Sequence, residues 1–163
     1  TLAVLHEAAD AAGPLEAVHG DLCPDNILVR APGPASALAP AVVLVDFGLA
    51  RFRGARRPVD GTFRGTAMYA PPEAARGEAL DTRSDVFALA LTLLHVASRK
   101  APRRKQSAPA WLVSIGEDSV VPYAEAATAH LDPAVAAALG QAVAHDANQR
   151  PESGRAVLRL LAS

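Results

Sequence analysis

A chain of 163 residues, 50% hydrophobic and 20% charged, is long enough for one domain or a large part of one, and too apolar for wholesale disorder. Its 16 basic and 17 acidic side chains leave a formal net charge of −1. That excludes non-specific nucleic-acid binding as the main role, because neutralising many phosphates takes a basic excess. The single cysteine excludes an intramolecular disulfide, leaves a structural zinc site without its usual Cys pair, and accords with a reducing compartment. No apolar run reaches the roughly 18 residues of a membrane helix. The start on Thr1, in mid-pattern and without a leader, suggests a piece of a longer chain.

Leu2, Leu5, Ala9 and Ala12 recur at helical spacing, so an amphipathic helix is expected over residues 2–12, ended by Gly13-Pro14. Leu15 to Val18 reads as a short extended piece and His19 to Asn26 as a polar loop. The β-branched runs Ile27–Val29 and Val42–Val45 each suit a short buried strand, and the Pro-rich residues 31–40 between them read as a hairpin excursion. Periodicity disappears from Asp46 to Glu73, a stretch with four arginines between Arg51 and Arg57, read as a solvated loop. The longest apolar run, Val86 to Ala97, is broken only by Thr92 and His95. It makes residues 84–97 a helix apolar on nearly every side, the kind that belongs at the centre of a domain, with Ser84 and Asp85 as cap candidates. A second basic cluster, Arg99 to Lys105, again reads as solvated. Pro133–Ala144 and Gly154–Leu161 complete a mainly α chain with two early strands and no internal repeat.

Two segments carry chemistry: HGDLCPDN at 19–26 and DFG at 46–48. Asp21, Asn26 and Asp46 flank the two strands, so a small hairpin brings all three to one end. A carboxylate and an amide are hard oxygen ligands of the kind Mg²⁺ takes alongside substrate phosphates. Asp21 is then left to orient a hydroxyl nucleophile, the division of labour that in-line phosphoryl transfer needs.

HGDLCPDNIL, DFGLA, GTAMYAPPE, SDVFALALTLL and the late NQRP stand in the order and rough spacing of the C-terminal lobe of eukaryotic-type protein kinases, as found in bacterial Hanks-type serine/threonine kinases. The chain resembles that lobe over nearly its whole length, and the alanine- and arginine-rich composition has a bacterial flavour. The resemblance implies a mainly α C-lobe: a helical bundle around a buried central helix, with a small β-hairpin carrying the catalytic and metal-binding loops. It implies ATP and Mg²⁺ as cofactors, protein substrates, and a cytoplasmic setting. Residues 19–26 then resemble the catalytic loop and 46–73 the activation segment. Asp21 resembles the catalytic base, Asn26 a Mg²⁺ ligand, Asp46 the main Mg²⁺ ligand on the phosphates, and Leu28 the apolar floor under adenine. Thr66 matches the threonine near the catalytic aspartate, and Thr62 is a phosphosite candidate. Glu73 and Arg150 match a buried ion pair. Asp85 matches an aspartate that accepts backbone N–H bonds from the catalytic loop. His19 is expected to be a core histidine joining that loop to the hydrophobic spine, and Pro24 with Thr66 favours the serine/threonine branch.

Four departures stand out. Gly20 replaces the arginine of HRD, which removes the usual partner of a phosphorylated segment. Cys23 replaces the lysine that contacts the transferring phosphate, and Asp25, a solvated spacer, supplies no substitute. Pro71 replaces the alanine of APE. No G-x-G-x-x-G occurs in the sequence, and only 20 residues precede Asp21. The expectation is therefore a C-lobe without its N-lobe, inactive alone. His6, His95, His130 and His145 are read as structural, and Trp111 as packing. A pseudokinase or scaffold is the competing reading. An aminoglycoside- or choline-type kinase, which Gly20 suits but the 66–73 and 84–94 segments do not, ranks below it.

Overall fold

The core is organised by one helix. In the computed structural model, which describes residues 1–30, 41–55, 64–103, 110, 113–115 and 120–162, α3 runs Thr82–Ser98. Its cap is Asp81, not the expected Ser84 and Asp85. The Asp81 carboxylate accepts from Arg83 N at 2.8 Å, and Ser84 Oγ accepts from Asp81 N at 3.3 Å, closing a capping box. Asp85 lies one residue too deep to cap and turns inward instead. Val86, Phe87, Ala90, Leu91 and Leu94 of α3 form one cluster with Cys23, Tyr69, Val120, Leu139 and Val143. Burial of each large side chain there contributes about 1.5–3 kcal/mol. The outer side is not covered throughout, since Leu93 and Val96 remain exposed.

Two further helices pack on α3: α4, Val121–Thr128, and α5, Pro133–Ala142. The sequence reading passed over α4, and α5 stops two residues short of the expected Ala144. α6, Gly154–Leu161, lies against α5 and against α1. No helix among the described residues is long and apolar enough to cross a membrane.

α1 covers only Leu2–His6, not residues 2–12. Ala9–Asp10 (β1) instead pairs antiparallel with Gly13–Pro14 (β2). The Asp10 carboxylate accepts from Ala12 N at 2.8 Å and from Arg53 Nη2 at 2.7 Å, while Arg53 Nη1 donates to the Ala12 carbonyl at 3.2 Å. These bonds hold a turn where a helix needs its own ladder, and Gly13 at φ +116° closes it.

β3, Ile27–Arg30, pairs antiparallel with β4, Ala41–Leu44, with Ile27 opposite Leu44 and Arg30 opposite Ala41. The expectation of buried strands is corrected. Only the end at Leu44 and Ile27 joins a core cluster, with Leu2, Leu22 and Ala88. Leu28 is 53% and Val29 68% exposed, and Val42 and Val43 are exposed too. A two-stranded ribbon has two faces, and the bundle covers only one end of it. Residues 31–40, Thr62 and Trp111 lie outside the described residues.

Candidate active site

The loop 19–26 is fixed from below by α3. Asp85, 1% exposed, accepts from His19 N at 2.7 Å, Gly20 N at 2.9 Å and His6 Nε2 at 3.1 Å. Three donors replace the water that burial takes from this carboxylate. His6, read from sequence only as structural, is thereby part of the support, and its Nδ1 accepts from Gly154 N at 3.1 Å. Gly20 sits at φ +81°, with a Cβ there falling 2.9 Å from the Leu49 carbonyl oxygen, so the close approach of residues 48–50 to the loop asks for glycine.

His19 is fully buried. Its Nε2–H donates to the Val45 carbonyl at 3.0 Å and its Nδ1 accepts from Asp21 N at 3.3 Å, which fixes the tautomer. The ring packs against Phe47, centroids 4.8 Å apart. One imidazole thus ties the backbone carrying Asp21 to the strand end that leads into Asp46.

Pro24–Asn26 forms a single 3₁₀ turn, started by Pro24 at a position that needs no N–H donor. The turn carries Asn26 back under Asp21. Asn26 Nδ2 donates to the Asp21 carbonyl at 2.8 Å and lies 3.4 Å from Asp21 Oδ2. With its nitrogen committed to Asp21, the amide keeps its oxygen as the atom open to a further partner. Val45 N donates to the Asn26 carbonyl at 3.0 Å, so Asp46 follows directly on a residue bonded to Asn26. Asp46 is left-handed at φ 60°, exposed, and accepts from Gly48 N at 3.2 Å with one oxygen. Asp21, Asn26 and Asp46 therefore meet at one end of the β3–β4 hairpin. Leu28 is on the same hairpin, on its open face.

The segment after Asp46, read from the sequence as a solvated loop, is held at both ends. Arg51 bridges Val18, and Arg53 N donates to the Leu15 carbonyl at 2.7 Å. At the far end Thr66 N donates to Asp21 Oδ1 at 2.7 Å, and Thr66 Oγ1 lies 3.7 Å from Cys23 Sγ. Cys23 is 2% exposed and packs in the core cluster. A 3₁₀ turn at Ala67–Tyr69 and the short helix α2, Pro72–Ala75, complete the segment. Burial pushes the Tyr69 phenol up to about 12. The phenol oxygen is hydrogen-bonded to His95 Nδ1 at 2.6 Å.

Glu73 and Arg150 form a bidentate pair, Nη1–Oε1 2.7 Å and Nη2–Oε2 2.9 Å, with 5% and 4% exposure. Burial works to raise the Glu73 carboxyl. The Arg150 hydrogen bonds and charge, with the Ser84 hydroxyl, outweigh it and hold the group below its ordinary value. One contact escaped the sequence reading. Arg103, counted among solvated arginines, reaches the 67–70 turn, and no local pattern separates it from its basic neighbours.

A family model described as protein kinase domain matches residues 2–151. The chain belongs to the protein kinase family. Relatives of this kinase chain include the serine/threonine-protein kinase Pkn1 of Myxococcus xanthus, 32% identical over 157 residues that cover 93% of this chain and 21% of Pkn1. PknB of Mycobacterium tuberculosis, also a serine/threonine-protein kinase, is 34% identical over 130 residues, covering 76% of this chain and 20% of PknB. The tyrosine-protein kinase MasK of Myxococcus xanthus is 32% identical over 124 residues, covering 74% of this chain and 18% of MasK. The kinase chain thus spans about a fifth of the length of these relatives.

The donor set fits the Mg²⁺ that the family takes with its nucleotide. No group of three His, Cys, Asp or Glu side chains gathers as a metal cage among the described residues. One exposed carboxylate, Asp46, and one amide oxygen, that of Asn26, are the sparse kind of protein contribution that Mg²⁺ accepts when phosphates and water fill its other positions.

Proposed function

We propose that this chain is the C-terminal lobe of a protein serine/threonine kinase, which transfers the γ-phosphoryl group of ATP to hydroxyls of protein substrates. The reading rests chiefly on one observation: the Asp21 carboxylate is held by Thr66 N at 2.7 Å, on a loop whose Asn26 lies beside the strand leading into Asp46. Asn26 and Asp46 would hold Mg²⁺, which neutralises phosphate charge when bound. Asp21 Oδ1 is occupied by the Thr66 amide. Oδ2, with only the long contact to Asn26, is the oxygen that accepts the hydrogen bond of an incoming hydroxyl and orients it. Leu28 would lie under the adenine ring, and residues 46–73 would form the activation segment, with Thr62 its candidate phosphosite. The serine/threonine assignment is supported by Pro24, by Thr66 beside Asp21, and by the names of Pkn1 and PknB.

The test is phosphotransfer by the kinase that carries this chain, wild type against Asp21→Asn, with phosphoamino-acid analysis of the product. Loss of turnover by at least a hundredfold, with phosphate on serine or threonine, is expected. Unchanged turnover refutes the role of Asp21, and phosphotyrosine refutes the hydroxyl class.

A second reading, a pseudokinase that binds without turnover, is favoured by Cys23. A buried neutral thiol stands where the family places a cation. Absence of turnover in the wild type itself would select it.

A further inference from the structure

The turn at Ala67–Tyr69 runs into Pro71 and Pro72. In a helical turn the Met68 carbonyl looks to the N–H of residue 71 or 72. Both are prolines and have none. The sequence thus builds an acceptor that cannot be satisfied locally, in a segment where Tyr69 and Ala70 are buried. Arg103 answers it from the far side of α3. Its Nη1 donates to the Met68 carbonyl at 3.1 Å and to the Ala70 carbonyl at 2.9 Å, and lies 3.4 Å from the Ala67 carbonyl. The guanidinium is 5.9 Å from the centroid of the Phe87 ring, which is fully buried in α3.

We infer that Arg103 is a positioning residue: by gathering the Met68 carbonyl, which Pro71 and Pro72 leave without a local donor, together with the Ala70 carbonyl, it fixes the 67–70 turn and, through Thr66, the Asp21 carboxylate. The path is short. Thr66 is the residue before the turn, and its carbonyl accepts from Tyr69 N at 2.9 Å. Its own N–H meets Asp21 Oδ1 at 2.7 Å. If the turn shifts, the donor that holds Asp21 shifts with it. Charge-assisted bonds to several carbonyls make a stiffer anchor than a neutral donor would. The consequence for turnover rests on the role proposed above for Asp21; the clamp itself does not.

Two features of the geometry sharpen the test. All three contacts come from a single nitrogen, so an ammonium, with three N–H bonds on one atom, substitutes better here than at a bidentate site. The demand at Met68 also comes from the prolines; Ala70 is extended at ψ 135°, and Pro71→Ala supplies an N–H that reaches the Met68 carbonyl once Ala70 turns helical and the 3₁₀ turn lengthens by one residue. Arg103→Met, Arg103→Lys and Pro71→Ala/Arg103→Met would be made in the kinase that carries this chain. Amide hydrogen exchange at Thr66–Ala70 would be read beside kcat and KM for Mg²⁺-ATP. For Arg103→Met, exchange at these amides is expected to rise at least tenfold. kcat is expected to fall about tenfold, with KM for ATP within twofold. Arg103→Lys and the double variant each recover at least half of both losses on a logarithmic scale. Should Arg103→Met not fold, these two variants decide: recovery in both supports the clamp, and failure of both refutes it. Unchanged exchange in folded Arg103→Met overturns the inference outright. Raised exchange with unchanged kcat keeps the clamp and overturns its link to Asp21. If Asp21→Asn also keeps its turnover, it is the reading of Asp21 that has failed.

Discussion

Replacing Arg150 with alanine tests the joint on which the fold turns. Arg150 does more than pair with Glu73. Its Nε donates to the Ala144 carbonyl at 2.7 Å, its Nη2 to the His145 carbonyl at 3.0 Å, and its guanidinium lies 4.7 Å from the Phe87 ring centroid. Truncation strands the Glu73 carboxylate in the core with the Ser84 hydroxyl as its remaining side-chain partner, 2.8 Å away. Leaving one member of a buried pair uncompensated costs about 3–5 kcal/mol, out of roughly 5–15 kcal/mol for a whole domain. At about 2 kcal/mol per molar urea, the unfolding midpoint should fall by roughly 2 M. The exposed pair Arg76–Glu78, Nε–Oε1 2.6 Å, is the control, and its loss should leave the midpoint nearly unchanged, because water screens it. Acidification gives an independent check. In the wild type the lowered Glu73 carboxyl contributes stability that is complete above its ordinary value of 4.5 and is lost as pH falls through the lower folded value. In Arg150→Ala burial, the largest influence on the group, is opposed only by the Ser84 hydroxyl and a backbone hydrogen bond; the group is expected to rise, so the variant gains stability as pH falls through that raised value. The gap between the two proteins should be widest at neutral pH and narrow toward pH 4.5. A midpoint shift no larger than the control's, or a gap that widens on acidification, would refute the reasoning.

Cys23→Lys should raise kcat in the kinase that carries this chain while changing KM little, because a cation at the transferring phosphate acts mainly in the transition state. Steady-state kinetics with no gain from an already fast parent would mean that another residue supplies the charge. The 163-residue chain alone should give no calorimetric heat with micromolar Mg²⁺-ATP, since Leu28 and Asp46 offer an open face and not an enclosing pocket; micromolar affinity would overturn that. Gly154→Ala should lower thermal stability by about 1–3 kcal/mol, because the new Cβ falls 2.9 Å from Ala3 N where α1 meets α6. A silent Gly154→Ala melt would show that α1 gives way freely.

The parts of this molecule that were legible in the sequence are those whose chemistry is local or whose motif is long. The buried helix announced itself because an apolar run of that length has nowhere else to go. Asp21, Asn26 and Asp46 stood out because short strands on either side bring them together. What escaped depends on partners far along the chain. Residues 7–12 keep a helical pattern, yet Arg53, more than forty positions on, pulls Asp10 and Ala12 into a turn. Asp85 has the composition of a cap and the position of an anchor, and only the packing of the 19–26 loop on α3 decides between them. Arg103 looked like one solvated charge among several because Pro71 and Pro72, which create the need for it, sit more than thirty positions earlier.

The reach of these contacts also sets an order of assembly. His19 and Gly20 take their anchor from a side chain 66 and 65 positions later, Glu73 takes its partner from 77 positions later, and His6 meets Gly154 across 148. A chain emerging from a ribosome at about 5–20 residues per second therefore carries the 19–26 loop without a shape for several seconds. The loop is pinned once α3 is out, the Glu73 end of the next segment only when Arg150 follows, and α1 last of all. Closing such long loops before any contact rewards them is slow. The loop proposed to do the chemistry is made well before the α3 carboxylate that pins it.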